Sequence, residues 1–210
     1  MFILGYSWGT KFTPAVVNKN PDLFYAWFGV GVVSPNSNAE KTIYNTLLEL
    51  ANEKKDKEAL RELNEIAPYP DPEKFSMKKT LIVRKWARKY NGGWYGKENF
   101  DLLFSLHEWS PEYSKKEADF VLDATSWASP LIIRSFSNRP NLRFRIPVFY
   151  LMGKNDLHTP FQNAFDHFEK IDAPMKKFIT FERSAHLPML EEPGKFLLSL
   201  VQDVLPLSKQ

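Results

Sequence analysis

A serine, an aspartate and a histidine stand far apart in this 210-residue chain, each in a local setting that suits acyl-transfer chemistry. Ser7 is the centre of Gly5-Tyr6-Ser7-Trp8-Gly9, a G-x-S-x-G pattern that follows the apolar run Phe2-Ile3-Leu4. Between a strand and a helix this pattern makes a nucleophile elbow. The serine sits at the tip of a sharp turn, and the flanking glycines remove collisions that side chains would make with strand and helix. The Trp8 amide then points to where an oxyanion would form. The plainer alternative is a glycine-rich turn with an ordinary serine. Asp156 closes Gly153-Lys154-Asn155-Asp156, just past an apolar stretch that begins at Ile146. His186 stands in Ser184-Ala185-His186-Leu187-Pro188, just past a second, shorter stretch. A serine hydroxyl is weak at its free pKa and needs a histidine to take its proton. A carboxylate fixes the imidazole tautomer and stabilises the imidazolium. The competing assignments are a turn residue for Asp156 and a backbone-capping loop histidine for His186.

The elements that must position these residues follow from the pattern. Phe2–Gly5 reads as a buried strand and Lys11–Asn18 as the helix after the elbow, stopped by Asn20-Pro21. Phe24–Val33 is apolar on both faces, as expected of a strand in a parallel sheet covered by helices. Strand, helix, strand makes a βαβ unit over residues 1–33. Residues 34–142 change character and read as an all-helical insertion. Helices are expected over Asn38–Lys54, Asp56–Ile66 and Phe75–Tyr90, with a further helical region from Pro111 to about Arg134. Pro68, Pro70 and Pro72 break the second helix, and Asn91-Gly92-Gly93 ends the third. The third carries a basic face (Lys78, Lys79, Arg84, Lys85, Arg88, Lys89) that reads as solvated surface. Residues 143–210 return to the sheet pattern. Strands are expected over Ile146–Gly153 and Lys177–Phe181, and helices over Pro160–Ile171 and Pro193–Val204. The last is amphipathic, with Phe196, Leu197, Leu200 and Val201 on one face. Asp156 and His186 therefore both fall just past the carboxyl ends of strands, where sites in open α/β sheets are built.

Composition narrows the classes. The net charge of +3 is too small to argue for nucleic acid or an anionic membrane. The absence of cysteine removes disulfides and thiolate chemistry. The longest apolar run, Phe24 to Val33, is too short to span a bilayer. No basic leader or small-residue cleavage site is visible, so a cytoplasmic location is expected. The four histidines lack paired spacing with carboxylates, and no phosphate loop or dinucleotide fingerprint occurs, so neither metal nor cofactor is expected. His107 falls in the helical block and His167 inside a helix. His158 shares the Asp156 loop and reads as a surface histidine. Trp86, Trp94, Tyr95, Trp109 and Trp127 either pack helices together or line an apolar pocket.

Taken together, these pieces resemble the α/β-hydrolase fold enzymes, and within them the proline-iminopeptidase-like branch that carries a helical cap. The matching segments are Leu4-Gly5-Tyr6-Ser7-Trp8-Gly9-Thr10, Pro21-Asp22-Leu23-Phe24, Ile146-Pro147-Val148 with Gly153, and Asp156-Leu157-His158-Thr159-Pro160. Ser184-Ala185-His186-Leu187-Pro188 with Glu191-Glu192-Pro193 and Phe196 completes them. The chain order serine, acid, histidine agrees with that fold. The resemblance implies Ser7 as nucleophile, His186 as base, Asp156 as orienting acid and the Trp8 amide as one oxyanion donor. It implies hydrolysis of esters, amides or peptide N-termini without a cofactor, with a small-molecule or peptide as substrate and the helical block as a cap. Glu108 is one acidic residue that could hold a substrate amine. One departure stands out. The family's elbow serine lies well inside its chain, and here it is residue 7. An N-terminal half, including the loop with the second oxyanion donor, is therefore expected to be missing. A late start site, a disrupted gene or a short self-pairing protein would each produce this. About four parallel strands should remain, with the elbow strand as an exposed apolar edge that self-association could cover. A non-catalytic interaction module is the alternative function.

Overall fold

The computed structural model describes residues 1–34, 39–71, 75–97 and 142–209, with 111–114 and scattered positions between 116 and 128. Four strands form one sheet in the order β1-β2-β3-β4. They are β1 (Phe2–Tyr6), β2 (Ala26–Val30), β3 (Val148–Gly153) and β4 (Lys176–Phe181), and every neighbouring pair is parallel. The two central strands are buried at every position, which is why they read as unbroken apolar runs. β2 is shorter than its apolar run because Gly31 turns to a φ of 55° and bends the chain out of the sheet.

Alternation divides the sheet between two cores. Trp27, Val148, Tyr150 and Met152 pack on one face with Val17 of α1 (Gly9–Lys19) and with Ala164 and Phe168 of α5 (Phe161–Glu169). Ala26, Phe28, Phe149, Leu151 and Phe181 pack on the other with Val204 and Leu207 near the C-terminus. The edges differ. On β4, Lys177 pairs with Asp203 at 2.6 Å, and Lys176 Nζ donates to the last carbonyls of α5 at Phe168 and Glu169. Charges of this kind blunt an edge. β1 carries apolar residues instead, and Leu4 is 47% exposed.

The C-terminal segment departs from its pattern. After α6 (Pro188–Glu191), the expected single helix runs as α7 (Pro193–Ser199), a π turn at Leu200–Val204 and a 3₁₀ turn at Leu205–Lys209. Phe196 and Leu200 pack against the sheet, whereas Leu197 and Val201 face solvent.

Between β2 and β3 the described residues form α2 (Ala39–Glu53), α3 (Lys57–Glu65) and α4 (Met77–Lys89). Asp56 caps α3 by accepting from the Ala59 amide, and Ser76 caps α4 by accepting from the Lys79 amide. The three helices bury a core of their own, including Ile43, Leu47, Leu63, Val83 and Trp86. The basic face of α4 is only partly solvated: Arg84 pairs with Glu40, and Lys85 with Glu62 at 2.8 Å. Trp86 is a packing residue, and Trp127 is exposed. His107, Glu108, Trp109 and most of the expected helix from Pro111 lie outside the described residues. No described helix is long and apolar enough to cross a membrane.

Candidate active site

Ser7 sits in the turn between β1 and α1. Ser7 follows β1 directly, holds a φ of 50° and donates its amide to the Val30 carbonyl of β2 at 2.9 Å. A non-glycine residue in this left-handed region signals strain held by its surroundings. Here the clamp is Thr10. Its hydroxyl donates to the Ser7 carbonyl at 2.6 Å and accepts from the Val33 amide at 3.0 Å. Thr10 thus ties the elbow to the loop after β2. The two motif glycines are unequal. A Cβ at Gly5 would lie 2.6 Å from Thr13 Oγ1 and 2.8 Å from the Gly9 carbonyl oxygen, whereas one at Gly9 would meet nothing within 4 Å. The collision expected on both sides exists on the strand side alone. Trp8 stands at the N-terminus of α1.

The three widely separated residues meet. His186 Nε2 lies 2.9 Å from Ser7 Oγ, and His186 Nδ1 lies 2.8 Å from Asp156 Oδ2. With Nδ1 donating to the carboxylate, Nε2 is left to accept the serine proton. Asp156 is almost fully buried, and it is held by four donors. Oδ1 accepts from the amides of His158 and Thr159, each at 2.7 Å. Oδ2 accepts from Thr159 Oγ1 at 2.5 Å and from His186. Gly31 passes so close to the imidazole that a Cβ there would lie 3.0 Å from His186 Cε1.

Two more rings enclose His186. Tyr6 lies 5.2 Å away, and its phenol is pushed well above its ordinary range by burial and then by the charges of Asp156 and Glu191. His158, expected at the surface, stacks on His186 at 5.1 Å. Burial first, then His186, Arg84 and Arg88, hold its pKa well below the usual 6.5. Being enclosed, His158 faces the site as a neutral ring.

Glu191 and Glu192, which the sequence offered only as part of the resemblance and without a role, shape the histidine loop. Glu191 accepts from the Ala185 and Leu187 amides, each at 2.9 Å, on either side of His186. Burial raises its pKa, and the backbone donors oppose that rise. Glu192 accepts from the Arg183 amide at 3.0 Å and from Ser184 Oγ at 2.7 Å. The signal available was a Glu-Glu pair five and six residues beyond a loop histidine. Among the described residues no group of three His, Cys, Asp or Glu side chains could hold a metal ion.

This geometry sits on a recognisable scaffold. Esterase EaEST from Exiguobacterium antarcticum matches with a TM-score of 0.55 at 18% identity, over 96% of this chain and 65% of the esterase. An alpha/beta fold family hydrolase from Bacillus anthracis str. Sterne matches with a TM-score of 0.52 at 18% identity, over 97% of this chain and 66% of that one. The chain therefore has the α/β-hydrolase fold. In sequence it is 26% identical over 208 residues to the probable aminopeptidase YbaC of Bacillus subtilis (strain 168). That match takes in 95% of this chain and 64% of the relative's length. No family model matches the chain.

Proposed function

We propose that the chain carries the catalytic centre of a serine hydrolase acting on esters, amides or peptide N-termini. The observation that carries this reading is the unbroken relay from Ser7 Oγ through His186 to Asp156, with 2.9 Å and 2.8 Å contacts. His186 Nε2 takes the Ser7 proton as Oγ attacks the substrate carbonyl carbon. The tetrahedral oxyanion is stabilised by the Trp8 amide at the start of α1. The intermediate collapses as His186 returns the proton to the leaving oxygen or nitrogen, leaving an acyl-serine. A water molecule, deprotonated by His186, then releases the acid and restores Ser7. Asp156 stays ionised throughout and holds the imidazole. The helical block supplies the cap. The names of the relatives, esterases and a probable aminopeptidase, support the two ends of the substrate range.

The test is turnover of short-chain p-nitrophenyl esters and amino-acid p-nitroanilides. Ser7→Ala should abolish it, and Asp156→Asn should lower it about 10⁴-fold. Turnover that survives Ser7→Ala contradicts the reading. A second reading, an interaction module with an inert serine, is favoured by the exposed apolar edge at β1. It predicts self-association by sedimentation together with no turnover, and an active monomer excludes it.

A further inference from the structure

The turn that closes α4 does more than end a helix. It continues the helix directly, since the Asn91 amide donates to Arg88 and the Gly92 amide donates to Ala87 at 2.8 Å. Its carbonyls then leave the helical block. Gly92 accepts from the amide of Leu157, the residue after Asp156, at 2.9 Å, and Gly93 accepts from the amide of His186 itself at 3.2 Å. The Tyr95 amide donates to Glu191, the carboxylate that also holds Ala185 and Leu187. One turn thus touches the acid loop, the histidine and the clasp around the histidine. The approach is tight. A Cβ at Gly92 would lie 2.2 Å from Leu157 Cβ, nearer than any side chain can tolerate, and Leu157 packs against the core of the helical block.

We propose that the turn 91–95 is a positioning strut, which fixes Asp156 relative to His186 and makes their geometry depend on where the helical block sits. Its catalytic consequence rests on the serine-hydrolase reading, but its structural content does not. Residues in the strut act through Leu157, His186 and Glu191, and none of them touches the reacting atoms. A helix terminator with no further role would spend its carbonyls on solvent or on its own helix. This one gives one to His186 and one to Leu157, the neighbour of Asp156. A substrate that moves α4 would move the base, so binding and reactivity are joined. Misplacement by about 1 Å at such a site costs on the order of 10²-fold in rate.

The first arm of the test uses the unaltered chain. In native-state hydrogen exchange, the Leu157 and His186 amides should open together with the α4 amides of Val83, Trp86 and Ala87, with the same denaturant dependence. Exchange that follows β3 and β4 instead would overturn the strut. The second arm is Gly92→Ala, with Gly194→Ala as control because a Cβ at Gly194 meets nothing within 4 Å. Gly92→Ala should shift or broaden the His186 Nδ1 proton resonance and slow fluorophosphonate labelling of Ser7 about 10²-fold. The control should leave both unchanged. A folded Gly92→Ala chain with an unaltered ring proton and pH titration would overturn the proposal. Absence of labelling in the unaltered chain would count against the serine-hydrolase reading alone, and exchange and the ring proton would still decide the strut.

Discussion

The sheet and the helical block are held together by different means, and the difference bears on how the site responds to its surroundings. The sheet is dry. Its central strands are buried on both faces, and its polar contacts within the core are few, chiefly Tyr150 hydroxyl to His167 Nδ1 at 2.9 Å. The described part of the helical block has an apolar core braced by polar clasps. Glu62 accepts from Lys85 at 2.8 Å and from the Trp86 ring nitrogen at 2.9 Å, Asp56 accepts from Tyr90 at 3.1 Å, and Glu40 joins Arg84 and Tyr69. Ser7, Asp156 and His186 all stand on the sheet, but two of them are tied to the block. The frame of the site is apolar and closely packed, and one of its supports is charge-dependent.

Acid should separate the two regions, the sheet first. Burial lowers the His167 pKa from 6.5 to about 4. Above pH 6.5 the ring is neutral folded or unfolded and contributes no pH dependence. As pH falls from about 6.5 to about 4, only the unfolded chain gains the proton, so stability falls and then levels off. The loss is at most on the order of 3 kcal/mol. His167→Gln keeps an acceptor for Tyr150 and should remove part of the difference in Tm between pH 7 and pH 4.5, the buried His158 accounting for a further part. An equal loss in the variant would place the acid sensitivity elsewhere.

The block should respond later and less. Glu62 is held below the usual carboxylate range, first by the hydrogen bond from Lys85 and, after an opposing cost of burial, by that from Trp86. Its stabilisation is therefore complete above the ordinary carboxylate pKa and is lost as pH falls through the depressed value. Lys85 is partly exposed and solvent screens the pair, so Glu62→Gln should cost about 1 kcal/mol at pH 7. The difference should vanish in strong acid. A pH-independent deficit in chemical denaturation would mean that packing, not charge, is what the substitution removes.

Much of this was legible in the chain. The apolar runs Phe24–Val33 and Ile146–Gly153 announce the buried strands Ala26–Val30 and Val148–Gly153, because burial on both faces leaves no alternation to misread. Ser7, Asp156 and His186 could be selected because each stands just past a strand and together they form one complementary set. What was hidden depends on distant chain. Nothing local distinguishes Gly5, pressed against Thr13, from Gly9, which is open. His158 reads as a surface residue because its partners, His186 and the arginines of α4, come from two other parts of the sequence. Asn91-Gly92-Gly93 is a plain helix stop until the fold brings Leu157 and His186 against it. The C-terminal stripe failed for another reason: Leu197 and Val201 lie one residue round the helix from Phe196 and Leu200, and only the latter pair meets the sheet.

The most direct measurement is the intact mass of the purified chain after exposure to a fluorophosphonate. A working relay predicts a single adduct on the unaltered chain, none on Ser7→Ala, and strongly slowed labelling on His186→Ala. A folded chain that gains no adduct, or an adduct that persists in Ser7→Ala, would contradict the assignment of Ser7 as a nucleophile activated by His186.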